Sequence, residues 1–390
     1  MCDSKLRWLT VVIPIAFASG FLLSWHLWLS SRIFPASPVA HFLPSIPHPL
    51  DTIWLFLMLG LLTATVFIGR SQRLVLVFLL LAGLLSLWDQ TRWQPWFYQF
   101  FLMLAAIGVY GWKKPEGQYQ SAVLNICQLI VAMTYVWSGL QKLNATFVLE
   151  TWPDMAGPLL RVLPKLASRT PPVLILIIPT LEVLTGIGLI TLRFRNYAVV
   201  AAIATHAVVL TLLISSGENQ VVWPWNIAMV LFVWILFWRD KATLAREILR
   251  PRNGLHAVVL LLVAILPVLS FADLWDSYLS AALYSGNTDQ AVIVVSPAVV
   301  DRLPAEVHGD IWTKSKPFFL DINRWSYSEL HVPVYPEPRV YRRVAEEICK
   351  YGDNSPEIKL LIKQKPDILT GQRRSEYYDC EHLSFVSSQP

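Results

Sequence analysis

Nine apolar runs nearly free of charge divide this chain, at residues 8–30, 50–69, 74–88, 97–112, 122–142, 173–191, 197–214, 221–238 and 255–272. A backbone crossing hydrocarbon has to satisfy its own N–H and C=O groups, which leaves the helix or the closed barrel. Runs approaching the roughly 20 residues that a bilayer demands read as helices. Composition agrees: 55% of the 390 residues are hydrophobic and only 15% are charged, against about 25% charged in soluble domains. The expected fold is an all-α polytopic membrane helical bundle of about nine spans over residues 1–273. Eight to ten crossings bracket the count, because the third and fourth runs are short and leave room for a re-entrant segment. The basic start and long apolar core of the first run resemble a signal peptide, but no clean small-residue cleavage site follows, so an uncleaved first span is expected.

The net charge of +5 does not describe a nucleic-acid binder, because the basic residues are scattered through short loops instead of gathered on one face. Their distribution reports orientation. With the N-terminus cytoplasmic, the inside pieces hold Lys5 and Arg7, Arg70 and Arg73, Lys113 and Lys114, Arg193 and Arg195, and the basic loop RDKATLAREILRPR at 239–252. Short outside loops hold one basic residue or none, Arg32 and Arg92 among them; the long 143–172 segment, with Arg161, Lys165 and Arg169, is the exception. An odd number of crossings then puts residues 274–390 outside a plasma (inner) membrane. There the character changes to short β-like runs, AVIVV and IKLLI, and an amphipathic helix, VYRRVAEEICKYG, with Val340, Val344 and Ile348 on one side. A small extracytoplasmic α/β domain is expected. Cys349 and Cys380 both fall in it, in an oxidising compartment, where a disulfide is the expectation and a free thiol pair the alternative. No Cys/His pattern with metal-ligand spacing occurs, so no metal site is read.

Three segments converge on the outer face: WDQTRWQPW (88–96), WSGLQKLN (137–144) and SSGENQVVWPWN (215–226). On the fifth run Gln128, Tyr135, Ser138 and Lys142 share helical spacing and form one polar stripe, which belongs inside the bundle because lipid leaves its donors unsatisfied. Gly139 beside it leaves room for a neighbouring helix or a ligand. Lys142 reads in two ways, as a snorkelling helix end or as a buried amine. Asp89 and Arg92, three apart, read as an interfacial salt bridge or part of a ligand site; Trp93 and Trp225 fit an aromatic belt equally well. Asn226 falls inside a span, where an amide needs a partner. Glu182 and His206 lie near the middle of runs six and seven and are expected to pair across them, as a packing bond or as a proton relay.

With those residues in view, the membrane part resembles the horizontally transferred transmembrane (HTTM) family, which includes the vitamin K-dependent gamma-carboxylase, over about residues 1–240. The resemblance rests on D-x-T-x-W, here Asp89, Thr91 and Trp93, and on G-x-x-K-L, here Gly139, Lys142 and Leu143. It implies that Lys142 is the base that deprotonates a hydroquinone-like molecule, so a quinone, quinol or other lipid-like ligand is the implied cofactor or substrate. Where the carboxylase has a histidine shortly after D-x-T-x-W, this chain has Gln94, Pro95 and Trp96, and the resemblance carries the fold and a pocket rather than peptide carboxylation. PTLEVLTGIGLI, through Glu182 and Gly186, is similar to DoxX-like membrane proteins, and the C-terminal phrases look like extensions of bacterial HTTM members. An enzyme on quinol or lipid is therefore one implied function. A non-enzymatic anchor that presents the C-terminal domain to a membrane-protein partner is the alternative.

Overall fold

The computed structural model describes residues 2–40, 42–68, 71–110, 116–162, 171–312, 317–352 and 357–387. Arg70, Lys113, Lys114, Lys165 and Arg169, which enter the charge count, lie outside them.

Apolar helices fill the intervals that the hydrophobic runs marked. Among the described residues these are α1 (Cys2–Leu23), α2 (Leu50–Phe67), α3 (Gln72–Leu87), α4 (Pro95–Tyr110), α5 (Glu116–Gln141), α7 (Ile177–Ile190), α8 (Arg195–Ser216), α9 (Val222–Phe237) and α11 (Gly254–Leu260). The last continues through π and 3-10 turns to Ala272, and the short helices α6 (Trp152–Val162) and α10 (Ala245–Leu249) sit in connections. Six apolar helical stretches, at Asp3–Leu23, Leu50–Phe67, Tyr119–Gln141, Pro172–Ile190, Arg195–Ser216 and Gly254–Ala272, are long enough to cross a membrane. This is a membrane protein by that measure. The helices α3, α4 and α9 are equally apolar but have 16 residues each, about 24 Å at the helical rise.

Local chemistry sets the helix ends. Pro95 opens α4, where a missing N–H costs nothing. Ser71 accepts the Leu74 N–H to start α3, and Gly217, at φ 70°, closes α8 in the left-handed conformation.

The fifth helix is central. Over 18 residues of its membrane-length stretch 78% are buried, against 28–44% over 18 residues of each of the other five. It packs on α7 at van der Waals limits. A Cβ on Gly139 would lie 2.6 Å from the Pro179 carbonyl oxygen, and one on Gly186 would lie 2.7 Å from that of Ala132. Close packing on small residues is the main source of helix association where lipid removes the hydrophobic drive.

At one end of the bundle Lys5 donates to the Leu236 carbonyl at 3.1 Å and stands 3.6 Å from Asp240. Arg195, fully buried, gives its guanidinium protons to the Leu189, Ile190 and Asp240 carbonyls, closing the end of α7. The opposite end carries the C-terminal region. Its five strands, β1 (Gln290–Val295), β2 (Ile311–Trp312), β3 (Phe318–Asp321), β4 (Ile358–Lys363) and β5 (Ser375–Asp379), form one antiparallel sheet in the order β2-β3-β1-β4-β5. Ile293 on β1 faces Leu320 on one side and Leu360 on the other, and all three are buried. Short α12 (Pro297–Val300) follows β1, and α13 (Ile322–Leu330) follows β3 with Asp321 as its cap. The helix α14 (Pro338–Cys349) buries Val340, Val344 and Ile348, and a disulfide joins Cys349 to Cys380 at the start of α15 (Cys380–Ser387).

This region is bonded to the bundle end. Gln94 donates to the Pro333 carbonyl at 2.9 Å, Arg339 to the Gln90 side chain at 2.5 Å, and the Ala145 N–H to the Ile368 carbonyl at 2.8 Å. Around Arg339 a charged knot forms with Asp276, Tyr335 and Glu337. Burial, then the Asp276 charge, pushes the Glu337 carboxyl from its ordinary 4.5 up to about 7.

Two outcomes follow. Gly139→Ala and Gly186→Ala are each expected to cost about 1–3 kcal/mol, the usual penalty of overpacking, read as a lower unfolding midpoint in detergent. A carboxyl with a raised pKa binds its proton more tightly when folded, so the stability that Glu337 contributes is full below pH 4.5 and lost as pH rises through about 7. Melting temperatures across that window should fall less steeply in Glu337→Gln than in the parent.

Candidate functional site

The close approach at Gly139 and Gly186 brings the side of α7 that bears Glu182 against the polar stripe of α5. Lys142 Nζ lies 2.7 Å and 2.9 Å from the two Glu182 carboxylate oxygens and 2.7 Å from Ser138 Oγ. Each of the paired side chains keeps 13% of its surface exposed. The three ammonium protons thus have three acceptors. One turn deeper, the Tyr135 hydroxyl meets His206 Nε2 at 2.6 Å, and His206 Nδ1 meets Asn226 Oδ1 at 2.7 Å. Asn226 Nδ2 donates back to the Val222 carbonyl on its own helix. Two polar groups result, Lys142–Glu182–Ser138 and Tyr135–His206–Asn226, joined through the face of α5.

The expected Glu182–His206 bond is not made. Lysine is the stronger partner for the carboxylate, and the end of α5 delivers it there, while Tyr135 and Asn226 take both imidazole nitrogens. Gln128 departs from the stripe's pocket too. It shares the face, but 14 residues of helix carry it about 21 Å along the axis, where its amide donates to the Leu236 carbonyl and Asp240. Gly139 admits a neighbouring helix.

The D-x-T-x-W segment makes a structural knot. Asp89, fully buried, binds Arg32 and accepts the Ser37 and Thr91 N–H groups. Burial acts to raise this carboxyl, but the Arg32 and Arg92 charges and the hydrogen bonds hold it below the usual range. The Asp89–Arg92 salt bridge expected from spacing is replaced by Asp89–Arg32. Arg92 points into the bundle instead, donates to the Leu27 and Leu85 carbonyls, and stacks over the Trp28 ring. Thr91 is buried beside them, and Trp93 donates to the Ser86 carbonyl and packs edge-on against Tyr335. Trp225 donates to Gln99 Oε1 at 2.9 Å.

WSGLQKLN therefore has two jobs. Lys142 serves the ion pair, while Gln141 and Asn144 hold the C-terminal region: Gln141 accepts from Asn287 and also donates to Ser270 of the last bundle stretch, and Asn144 donates to the Ser285 carbonyl. Sequence reasoning missed Arg32, Gln94 and Asn219 as structural partners. Each lies in a connection between helices, where no periodicity marks a direction. No protein-family model, curated protein or solved structure matches the chain.

Removing one member of the pair leaves the other charge stranded. Lys142→Met is expected to cost about 3 kcal/mol, at the low end for buried pairs because some exposure remains, and the Lys142→Met, Glu182→Leu double variant should recover most of that loss. Chemical unfolding in detergent measures both.

Proposed function

We propose that the chain spans the plasma (inner) membrane nine times, with its N-terminus cytoplasmic and residues 274–390 extracytoplasmic. In this reading it is an HTTM-like membrane enzyme that moves a proton on a quinol or another lipid-like hydroxyl compound. One observation carries the reading: a lysine–glutamate ion pair, each side chain 13% exposed, bridges α5 and α7 at the head of the polar stripe of α5. Ionisable groups at such depth mark working sites by default.

Lys142 acts as the general base through its partner. As an ammonium with three acceptors it has no lone pair. Passing one proton across the 2.7 Å to Glu182 gives a neutral amine and a carboxylic acid. The amine then takes the hydroxyl proton of the substrate: the O–H bond breaks, an N–H bond forms, and the oxyanion faces the new ammonium. Ser138 orients the amine, and the Tyr135–His206–Asn226 chain holds the face of α5 on which it stands.

The alternative reading, a non-enzymatic anchor for a membrane-protein partner, draws on the bonds from Gln141 and Asn144 to the C-terminal region. Lys142→Arg separates the two, because arginine keeps the charge but does not give up its proton. With naphthohydroquinone in proteoliposomes, formation of the bound anion, followed by absorbance, is expected to slow by about 10²-fold or more in Lys142→Arg, the scale of a lost general base. An unchanged rate in that variant defeats the base assignment and leaves the anchor.

A further inference from the structure

The hairpin that joins β4 to β5 runs on past the sheet as a finger, residues 364–374, that reaches the bundle end. Its arms stay paired: the Gln364 N–H donates to the Arg374 carbonyl and the Asp367 N–H to the Gln372 carbonyl, each at 2.9 Å. At the tip the Asp367 carboxylate accepts the Leu369 and Thr370 N–H groups and the Thr370 hydroxyl, and Gly371 turns the chain at φ 71°. That turn chemistry fixes the backbone without help from the side chains of Ile368 and Leu369. Both are left in the open, Ile368 43% and Leu369 86% exposed.

Two membrane-length helices set the level of this finger. The Ile368 carbonyl accepts the Ala145 N–H just beyond the end of α5. Lys365 donates to the Ser270 carbonyl at 2.8 Å and pairs with Asp273 at 2.9 Å, at the end of the stretch Gly254–Ala272. Gln141 donates to Ser270 Oγ, so the two helices end at one height. A scattered exposed leucine is ordinary, but these side chains adjoin a longer apolar surface. Val258, Leu261, Ile265 and Val268 are exposed at helical spacing along the last stretch. Phe271 and Leu274, on either side of Asp273 in the chain, are exposed as well, Leu274 by 70%.

We infer that the finger is a lipid anchor: Ile368 and Leu369 enter the bilayer leaflet at this end of the bundle and tie the C-terminal sheet to the membrane surface. Apolar faces that rest on a bilayer sink about 5–10 Å, to the boundary of headgroups and acyl chains. Asp367 and Arg374, both exposed, flank the tip and stay among headgroups and water. The occupant is lipid because the apolar row that the finger adjoins belongs to a membrane-length helix, whose exposed side chains face hydrocarbon. The anchor is independent of the Lys142 chemistry and of which side of the membrane this end faces.

Full-length protein in phosphatidylcholine vesicles carries the test, with Cys2→Ser so that a thiol-reactive NBD fluorophore meets only an introduced cysteine. Cys127 is buried, and Cys349 is joined to Cys380. On Gln372→Cys, with Leu369 native, the label is expected to emit at shorter wavelength than in water and to resist aqueous iodide. Lipids bearing a doxyl group high on the acyl chain should quench it. On Lys359→Cys, toward the other end of β4 and about 20 Å from Lys365 at the strand rise, the label should be open to iodide. Adding Leu369→Asp, a change at an exposed tip that leaves the fold intact, should remove most of the doxyl quenching at Gln372→Cys. Iodide quenching at Gln372→Cys equal to that at Lys359→Cys overturns the inference. So does doxyl quenching that survives Leu369→Asp. A label shielded from iodide but untouched by doxyl lipid means that protein covers the tip, and overturns it too.

Discussion

The backbones of α5 and α7 touch at Gly139 and Gly186, and the polar arrangement of the bundle depends on that contact. With Pro179 and Ala132 carbonyls less than 3 Å from where a Cβ would sit, nothing larger than hydrogen fits, and the helices approach closely enough for Lys142 to reach Glu182. A wider separation would leave two charges facing lipid without a partner. Ser138 and Tyr135 are then in register with Glu182 and His206 because they occupy successive turns of the same face.

The same economy governs the bundle ends. Lys5, Arg195, Gln128 and Asp240 close one end by bonding helix-terminal carbonyls and each other. At the other end, Asp89, Arg32 and Arg92 form a buried knot on which Gln90 and Gln94 meet the C-terminal region. These groups are costly to bury unless every partner is supplied, so they hold the loops and the sheet in one arrangement.

Much of the architecture was legible in the residues. Helix positions followed from runs of apolar residues, since lipid leaves the backbone little choice. Strands at AVIVV and IKLLI and the face of Val340, Val344 and Ile348 followed from periodicity. Partner choice was another matter. Asp89 and Arg92, three apart, looked like a pair, yet Arg32 from a distant loop took the carboxylate. Glu182 and His206 looked matched in depth, yet depth does not say which way a side chain turns around the helix.

The sequence by itself determined where helices form, which runs are apolar enough for a membrane, and which ionisable residues lie at depth, because these depend on local composition and spacing. Only the tertiary structure decided that Lys142 meets Glu182, that His206 joins Tyr135 and Asn226, and that D-x-T-x-W is a structural knot. Those outcomes depend on the angle and distance at which helices far apart in sequence pack. Here two glycines set that distance, and their effect is visible only once both helices are in place.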